Sequence, residues 1–171
     1  LPWRGAKDPY CIWGSEVMLQ QTRTETVERY YEPFLRKFPD VQTLAMVEEQ
    51  QVLKAWEGLG YYRRARALHA GAGEIYSRLG NRMPGSYEKL LQIRGIGVYT
   101  AGAIASIAYG EPVPAVDGNA IRVFARLFAI EKSIDETKTR QEMEELGRRL
   151  LSKDRPGDWN QALMDLGSMV C

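Results

Sequence analysis

Hydrophobic residues recur along this chain every three to four positions, whereas the alternation with β-branched side chains that marks a strand is nearly absent, so the sequence predicts an all-α protein. The first segment, Asp8 to Gln21, opens with Pro9 at a favoured first-turn position and carries Tyr10, Trp13 and Val17 at helical spacing, a stripe that reads as a core face. Thr22 and Thr24 can cap a helix from Glu25 to Lys37, and shorter helices are expected at Val41–Met46 and Glu48–Leu59. After the Gly58-Leu59-Gly60 break, Arg63–Leu79 reads as a basic-faced helix pressed against something anionic. Ser86 caps a short helix, Tyr87–Gln92, and further helices are expected over Val98–Tyr109, Asn119–Ile130, Lys138–Leu151 and Asn160–Met169. There is no internal repeat.

Length and composition narrow the class without naming a partner. A chain of 171 residues fits one domain, or two lobes sharing a cleft, and can bury a sizeable core. No apolar run approaches membrane-spanning length. With 23 Lys and Arg against 22 Asp and Glu the net charge is +1, so any contact with nucleic acid must come from local placement. Two cysteines, Cys11 and Cys171, are too few for a disulfide framework and favour a reducing intracellular compartment. The missing initiator Met and the final cysteine suggest that both ends are cut from something longer.

The strongest local pattern is Leu90-Leu91-Gln92-Ile93-Arg94-Gly95-Ile96-Gly97-Val98-Tyr99-Thr100-Ala101, which resembles a helix-hairpin-helix DNA-binding motif spanning about residues 86–109. Gly95 and Gly97 permit backbone angles and close approach denied to other residues, and the helix that follows begins with unpaired N–H groups. Those donors, with the positive end of the helix dipole, can hold a phosphate without a basic surface. The small residues Ala101 to Ala105 are expected to let that helix pack tightly on the one before it. Such contacts fix register and carry no sequence information. Taken alone, Gly-x-Gly between helices is equally a plain tight turn.

Two carboxylates stand out. Glu16 lies between apolar residues on a helix otherwise committed to the core; desolvation there raises its proton affinity and lets it donate a proton at neutral pH. Asp117, in Pro114-Ala115-Val116-Asp117-Gly118-Asn119, precedes a helix whose first N–H groups favour the ionised form. Cleavage of an N-glycosidic bond needs this division: an acid for the departing base and a carboxylate for the oxocarbenium-like sugar. Read without further context, Asp117 is more readily a helix cap and Glu16 a solvated helix residue, because caps and exposed acids greatly outnumber catalytic ones.

The hairpin, Val116-Asp117-Gly118-Asn119 and Ser15-Glu16-Val17-Met18-Leu19-Gln20-Gln21-Thr22 together resemble the endonuclease III superfamily and, within it, the adenine glycosylases of the MutY type. Leu1-Pro2-Trp3-Arg4, Trp56-Glu57-Gly58-Leu59-Gly60-Tyr61-Tyr62 and Arg155-Pro156-Gly157-Asp158-Trp159-Asn160-Gln161 extend the likeness over nearly the whole chain. The resemblance implies two helical lobes flanking a DNA-binding cleft. Residues 1–112 would form a six-helix barrel with the hairpin, and 113–171 part of an iron–sulfur-cluster lobe. It implies hydrolytic release of adenine mispaired with 8-oxoguanine or guanine, after the base is flipped from double-stranded DNA by a monomer that needs no membrane. Glu16 would be the acid, Asp117 the carboxylate facing the sugar, and Asn119 an orienting group. Tyr99 stands where bifunctional relatives carry a Schiff-base lysine, which implies base removal without strand nicking.

The same likeness places Gln20, Gln21 and Tyr61 at the duplex beside the extruded base, with one ring of the Tyr61–Tyr62 pair left in the core. It gives Arg94, Gly95, Ile96, Gly97 and Thr100 to the DNA backbone, and Trp3 and Arg4 to the adenine pocket. His69 is read as structural. Cys171 matches the first of four cysteines holding a 4Fe-4S cluster, whose other ligands this chain lacks, so activity of the chain alone is in doubt. A monovalent or calcium ion on the hairpin carbonyls is compatible with the superfamily. Two other readings stand beside this one: a thymine-mismatch glycosylase of the same superfamily, against which Glu16 argues, and a helix-hairpin-helix module that binds DNA without chemistry.

Overall fold

A computed structural model describes residues 1–171. The chain folds into ten helices and no strand: α1 (Pro9–Leu19), α2 (Thr24–Lys37), α3 (Val41–Met46), α4 (Glu49–Ala55), α5 (Arg63–Leu79), α6 (Tyr87–Leu90), α7 (Val98–Tyr109), α8 (Gly118–Leu127), α9 (Thr137–Leu150) and α10 (Pro156–Met169). None of them is long and apolar enough to cross a membrane.

Local chemistry explains where most of them start. Asp8 caps α1 by accepting from the N–H groups of Tyr10 and Cys11, with Pro9 in the first turn. Asp40 caps α3 through Thr43, Ser86 caps α6 through Lys89, and Asp117 caps α8 through Ala120. Helix α2 departs from expectation. It starts at Thr24 behind Arg23 with no side-chain cap, in place of the expected threonine cap. Helices α4, α6 and α8 stop short of the expected Leu59, Gln92 and Ile130, the first two giving way to the Gly58–Gly60 turn and to the Gly95–Gly97 hairpin.

The main core holds 29 buried residues around Trp13, Phe34, Trp56 and Ile104. Within it Phe34 packs edge-on to Phe38 at 4.9 Å and to Trp56 at 5.7 Å, each such pair adding about 0.5–1.5 kcal/mol beyond its burial. Helix α1 runs through this core against α2, α5 and α7. A second, smaller cluster of 5 buried residues joins α8, α9 and α10 through Ala120, Val123, Phe124, Met143 and Leu163.

The two clusters meet along α7 and α10, where glycines allow close crossing. A Cβ on Gly102 would lie 2.3 Å from the Pro114 carbonyl oxygen, and one on Gly157 would lie 2.8 Å from the backbone of Ser106 and Ile107. The small-residue helix α7 therefore uses its glycine against the Pro114–Ala115 segment rather than against the helix preceding the hairpin. Buried Asn160 completes the seam: its Nδ2 donates to Ser106 Oγ at 2.8 Å and Val113 O at 3.0 Å, and its Oδ1 accepts from Ala115 N at 3.0 Å. This stitching fixes the strand of chain that leads into Asp117.

Candidate active site

A cleft of about 1160 Å³ opens between the clusters, and its walls carry Trp3, Arg4, Glu16, Gln20, Gln21, Tyr61, Gly95, Gly97, Tyr99, Thr100, Asp117 and Asn119. Among the residues expected at the site, Arg94, Ile96 and Cys171 lie outside those walls.

Glu16 is only 2% exposed, so it is no solvated surface acid. Its Oε2 accepts a short hydrogen bond from the Tyr99 hydroxyl, which also lies 3.6 Å from Met164 Sδ. Oε1 has no protein partner, and Glu16 lines the cleft. Burial pushes the Glu16 carboxyl above its ordinary range; the Tyr99 hydrogen bond and the Arg4 charge pull it back, and Asp117 pushes it further up. Tyr99 is held well above the usual phenol value, by burial first and then by Glu16 and Asp117, and so keeps its proton.

Asp117 both caps a helix and lines the cleft. It caps α8 through Oδ1 to Ala120 N at 2.8 Å, and its Oδ2 accepts from Asn119 Nδ2 at 2.9 Å, while the carboxyl lines the cleft. Burial moves this carboxyl upward as well, contrary to the simple expectation of a helix-favoured anion; the Ala120 and Asn119 donors oppose that shift. The asymmetry between the two acids lies in those donors. Asp117 has both oxygens paired with N–H groups, whereas Glu16 has one phenol and a free oxygen.

The hairpin borders the same cleft. Gly95 takes φ +84°, and a Cβ there would meet Ala67 at 2.9 Å, so both conformation and packing require glycine. Gly97 differs from expectation: at φ −92° and ψ 179° its backbone is ordinary extended chain with open space around it. No side chain caps the first turn of α7, leaving its leading N–H groups for an anion. Arg94 N donates to Glu74 Oε2 at 3.0 Å while the Arg94 side chain is exposed, and the Ile96 side chain is buried in the core, which leaves only the backbone of Ile96 for an outside contact. Thr100 is buried and receives Gln20 Nε2 at 3.4 Å.

Tyr61 is 61% exposed and Tyr62 39%, so neither ring belongs to the core. Gln21 and Tyr61 adopt left-handed backbone angles, φ 56° and 48°, at a cost of about 1–2 kcal/mol each. Trp3 is buried against Tyr31, ring centroids 5.6 Å apart. Arg4 is clasped to α10, donating to Gln161 Oε1 at 3.3 Å and Asp165 Oδ1 at 2.5 Å. His69 Nε2 lies 2.9 Å from Val47 O, a structural tie between α5 and the loop after α3.

Sequence reading missed Asp165, Gln161, Met164 and Arg64. Arg64 lies on the helix whose sequence reads as basic-faced, yet it is buried; burial lowers its pKa, opposed by the Tyr61 phenol. Its position was readable: it falls on the same stripe as Leu68, Ala72 and Ile75, the buried face of α5.

No group of three or more His, Cys, Asp or Glu side chains is arranged to hold a metal ion. A four-thiolate cluster does not fit the residues present, since the two cysteines are Cys11, packed on the main core, and Cys171, packed on the smaller one.

A wholly helical chain with a hairpin of this kind at the mouth of an acid-bearing cleft has the architecture of a helix-hairpin-helix DNA repair glycosylase. The profile of the HhH-GPD superfamily base excision DNA repair proteins matches residues 15–149, and the chain belongs to that superfamily. Over 100% of its length it is 46% identical to the adenine DNA glycosylase of Homo sapiens and 44% identical to that of Mus musculus, and it spans 33% and 35% of those proteins. It is similar, with a TM-score of 0.89 and 27% identity, to the structure of a thermostable thymine-DNA glycosylase, covering 100% of this chain and 79% of that one. A non-covalent endonuclease III–DNA complex shares the fold at TM-score 0.84 and 20% identity, over 97% of this chain and 76% of that one.

Proposed function

We propose that the protein removes adenine from mispairs with 8-oxoguanine or guanine in double-stranded DNA by hydrolysing the N-glycosidic bond. The observation that carries this reading is a buried Glu16 whose free Oε1 shares with Asp117 a cleft that Gly95 and Gly97 also line. Neutral Glu16 donates its proton to a ring nitrogen of the flipped adenine, the C1′–N9 bond breaks, and its electron pair leaves with the base. The Asp117 carboxylate, fixed by Ala120 and Asn119, stabilises the positive charge that develops on the sugar. Water then adds to C1′ and its proton restores the acid.

Tyr99 holds Glu16 in place and, lacking an amine, forms no Schiff base, so the strand stays uncut. Trp3 and Arg4 shape the base pocket, while Gln21 and Tyr61 fill the space the base vacates. Phosphates dock on the uncapped start of α7 and beside the exposed Arg94. The iron–sulfur cluster of the resemblance has no ligand set here and enters no step.

The likeness to a thymine-DNA glycosylase supports a second reading, removal of mispaired thymine. Incubation of the protein with duplexes bearing adenine opposite 8-oxoguanine, adenine opposite guanine, and thymine opposite guanine separates the two. Alkali-labile sites at the adenine are expected; cleavage confined to the thymine duplex would replace this reading with the second, and none in any duplex would leave a DNA-binding module.

A further inference from the structure

Two short turns on one side of the cleft carry the residues proposed to enter the duplex: Gln20-Gln21-Thr22 after α1, and Gly58-Leu59-Gly60-Tyr61 before α5. Both hold a non-glycine residue in the left-handed region, Gln21 at φ 56° and Tyr61 at φ 48°. Such a conformation persists only where its surroundings over-determine it. Neither turn lies in a regular helix that could supply that restraint.

One guanidinium touches both. Arg64 Nη1 donates to Val17 O at 3.0 Å, to Met18 O at 2.7 Å and, at short range, to Gln20 O, all carbonyls left open by the end of α1. Arg64 Nη2 reaches Thr22 Oγ1 at 2.9 Å, Gly60 O at 3.2 Å and Leu59 O at 3.3 Å. The carbonyls of Gln20 and Gly60 belong to the peptide groups immediately before Gln21 and Tyr61. Pinning those planes restricts the rotation that sets φ of each left-handed residue. The guanidinium also packs against the rings of Trp56, 5.6 Å away, and Tyr61, 5.4 Å away, and Trp56 Nε1 donates to the same Gly60 carbonyl at 3.1 Å. Only a planar fork with several donors can serve both turns at once; a lysine ammonium, a single point of charge, cannot.

We infer that Arg64 is a positioning residue for base extrusion: it couples the Gln21 and Tyr61 turns into one rigid wedge, and it does not act on bond cleavage at Glu16. The inference rests on the base-flipping reading above. Its signature is a defect that depends on how much extrusion the substrate demands. An adenine stacked and paired in a duplex must be pulled out, whereas one in a single-base bulge is already largely free.

The test compares the full-length protein with R64K in single-turnover release of adenine from a duplex pairing it with 8-oxoguanine and from the same sequence with the adenine bulged. Fluorescence of 2-aminopurine at the target position reports extrusion. R64K is expected to slow release from the paired duplex by on the order of 10²-fold, as a displaced wedge should, to blunt the 2-aminopurine rise, and to act on the bulge within about threefold of wild type. Equal slowing on both substrates with a normal 2-aminopurine rise would overturn the inference, as would wild-type behaviour on both.

If R64K does not fold, T22V decides, because it removes one strut contact from a turn without unpairing the buried guanidinium. A smaller loss confined to the paired duplex is expected, and wild-type extrusion by T22V would reject the coupling. Failure of the base-removal reading shows separately, as wild type releasing no base from either duplex; the 2-aminopurine comparison still judges Arg64 in that case.

Discussion

Replacing Gly102 by Ala probes how the fold sets the site without touching either acid. The new methyl would stand 2.3 Å from the Pro114 carbonyl oxygen and 3.1 Å from its carbon, whereas ordinary contact begins at 3.4 Å, so α7 and the Pro114–Ala115 segment must separate by about 1 Å. Alanine improves helix propensity by about 1 kcal/mol. Overpacking costs about 1–3 kcal/mol, and because the obstacle is backbone rather than a flexible side chain, the upper end applies. The net loss of about 2 kcal/mol lowers Tm by about 4–8 °C in a chain of this size. The displaced segment runs directly into Asp117, and a misplacement of about 1 Å at a reacting centre costs about 10²-fold in rate. Gly73→Ala on α5 is the control, since its Cβ meets nothing within 4 Å. It should gain about 1 kcal/mol, raise Tm by about 2–4 °C and leave the rate alone. Thermal unfolding followed by circular dichroism, paired with single-turnover base release, reads both effects. Should Gly102→Ala match wild type in Tm and rate, the close seam between α7 and the Asp117 segment does not set the site.

Three further outcomes follow from the electrostatics. Burial raises the Glu16 pKa in the folded state, so folded protein retains a proton that unfolded chain releases, and stability falls as pH rises above the ordinary value of 4.5 toward the folded value. Urea unfolding should find Glu16→Gln more stable than wild type at pH 8 and equal to it near pH 4; an unchanged difference across that range would refute a buried ionisable Glu16. Arg4 lowers the Glu16 pKa, so Arg4→Met should move the alkaline limb of the single-turnover pH profile to higher pH, and a shift in the other direction would contradict the assignment of Glu16 as the acid. Tyr99→Lys places an amine beside Glu16 and the proposed sugar position, so borohydride should trap a covalent DNA adduct; no adduct from a folded variant that still binds duplex would remove residue 99 from the sugar.

Features that depend on local pattern were legible in the amino-acid sequence. Helical spacing of Tyr10, Trp13 and Val17 announced α1, and apolar neighbours around Glu16 announced its burial. Asp117 was open between cap and site, and it is both in geometry: its oxygens serve α8 and Asn119 while the group lines the cleft.

Features that depend on distant partners were not legible. Arg64 looked basic and exposed because its acceptors, carbonyls of α1 and of the Gly60 turn, lie up to 47 residues away in the chain. Gly102 looked like a helix-packing residue for the hairpin, yet its partner is Pro114. Gly97 looked conformationally special, though of the two hairpin glycines only Gly95 has positive φ. In each case the sequence specifies a residue type and the tertiary fold chooses its partner.

The account turns on a neutral Glu16 facing the same extruded nucleotide as Asp117. Single-turnover release of adenine by Glu16→Gln, measured beside duplex affinity, tests this most directly, because the amide keeps the shape and the Tyr99 contact but carries no transferable proton. A fall in rate of about 10²–10⁴-fold with unchanged Kd is predicted. Release at the wild-type rate would contradict it.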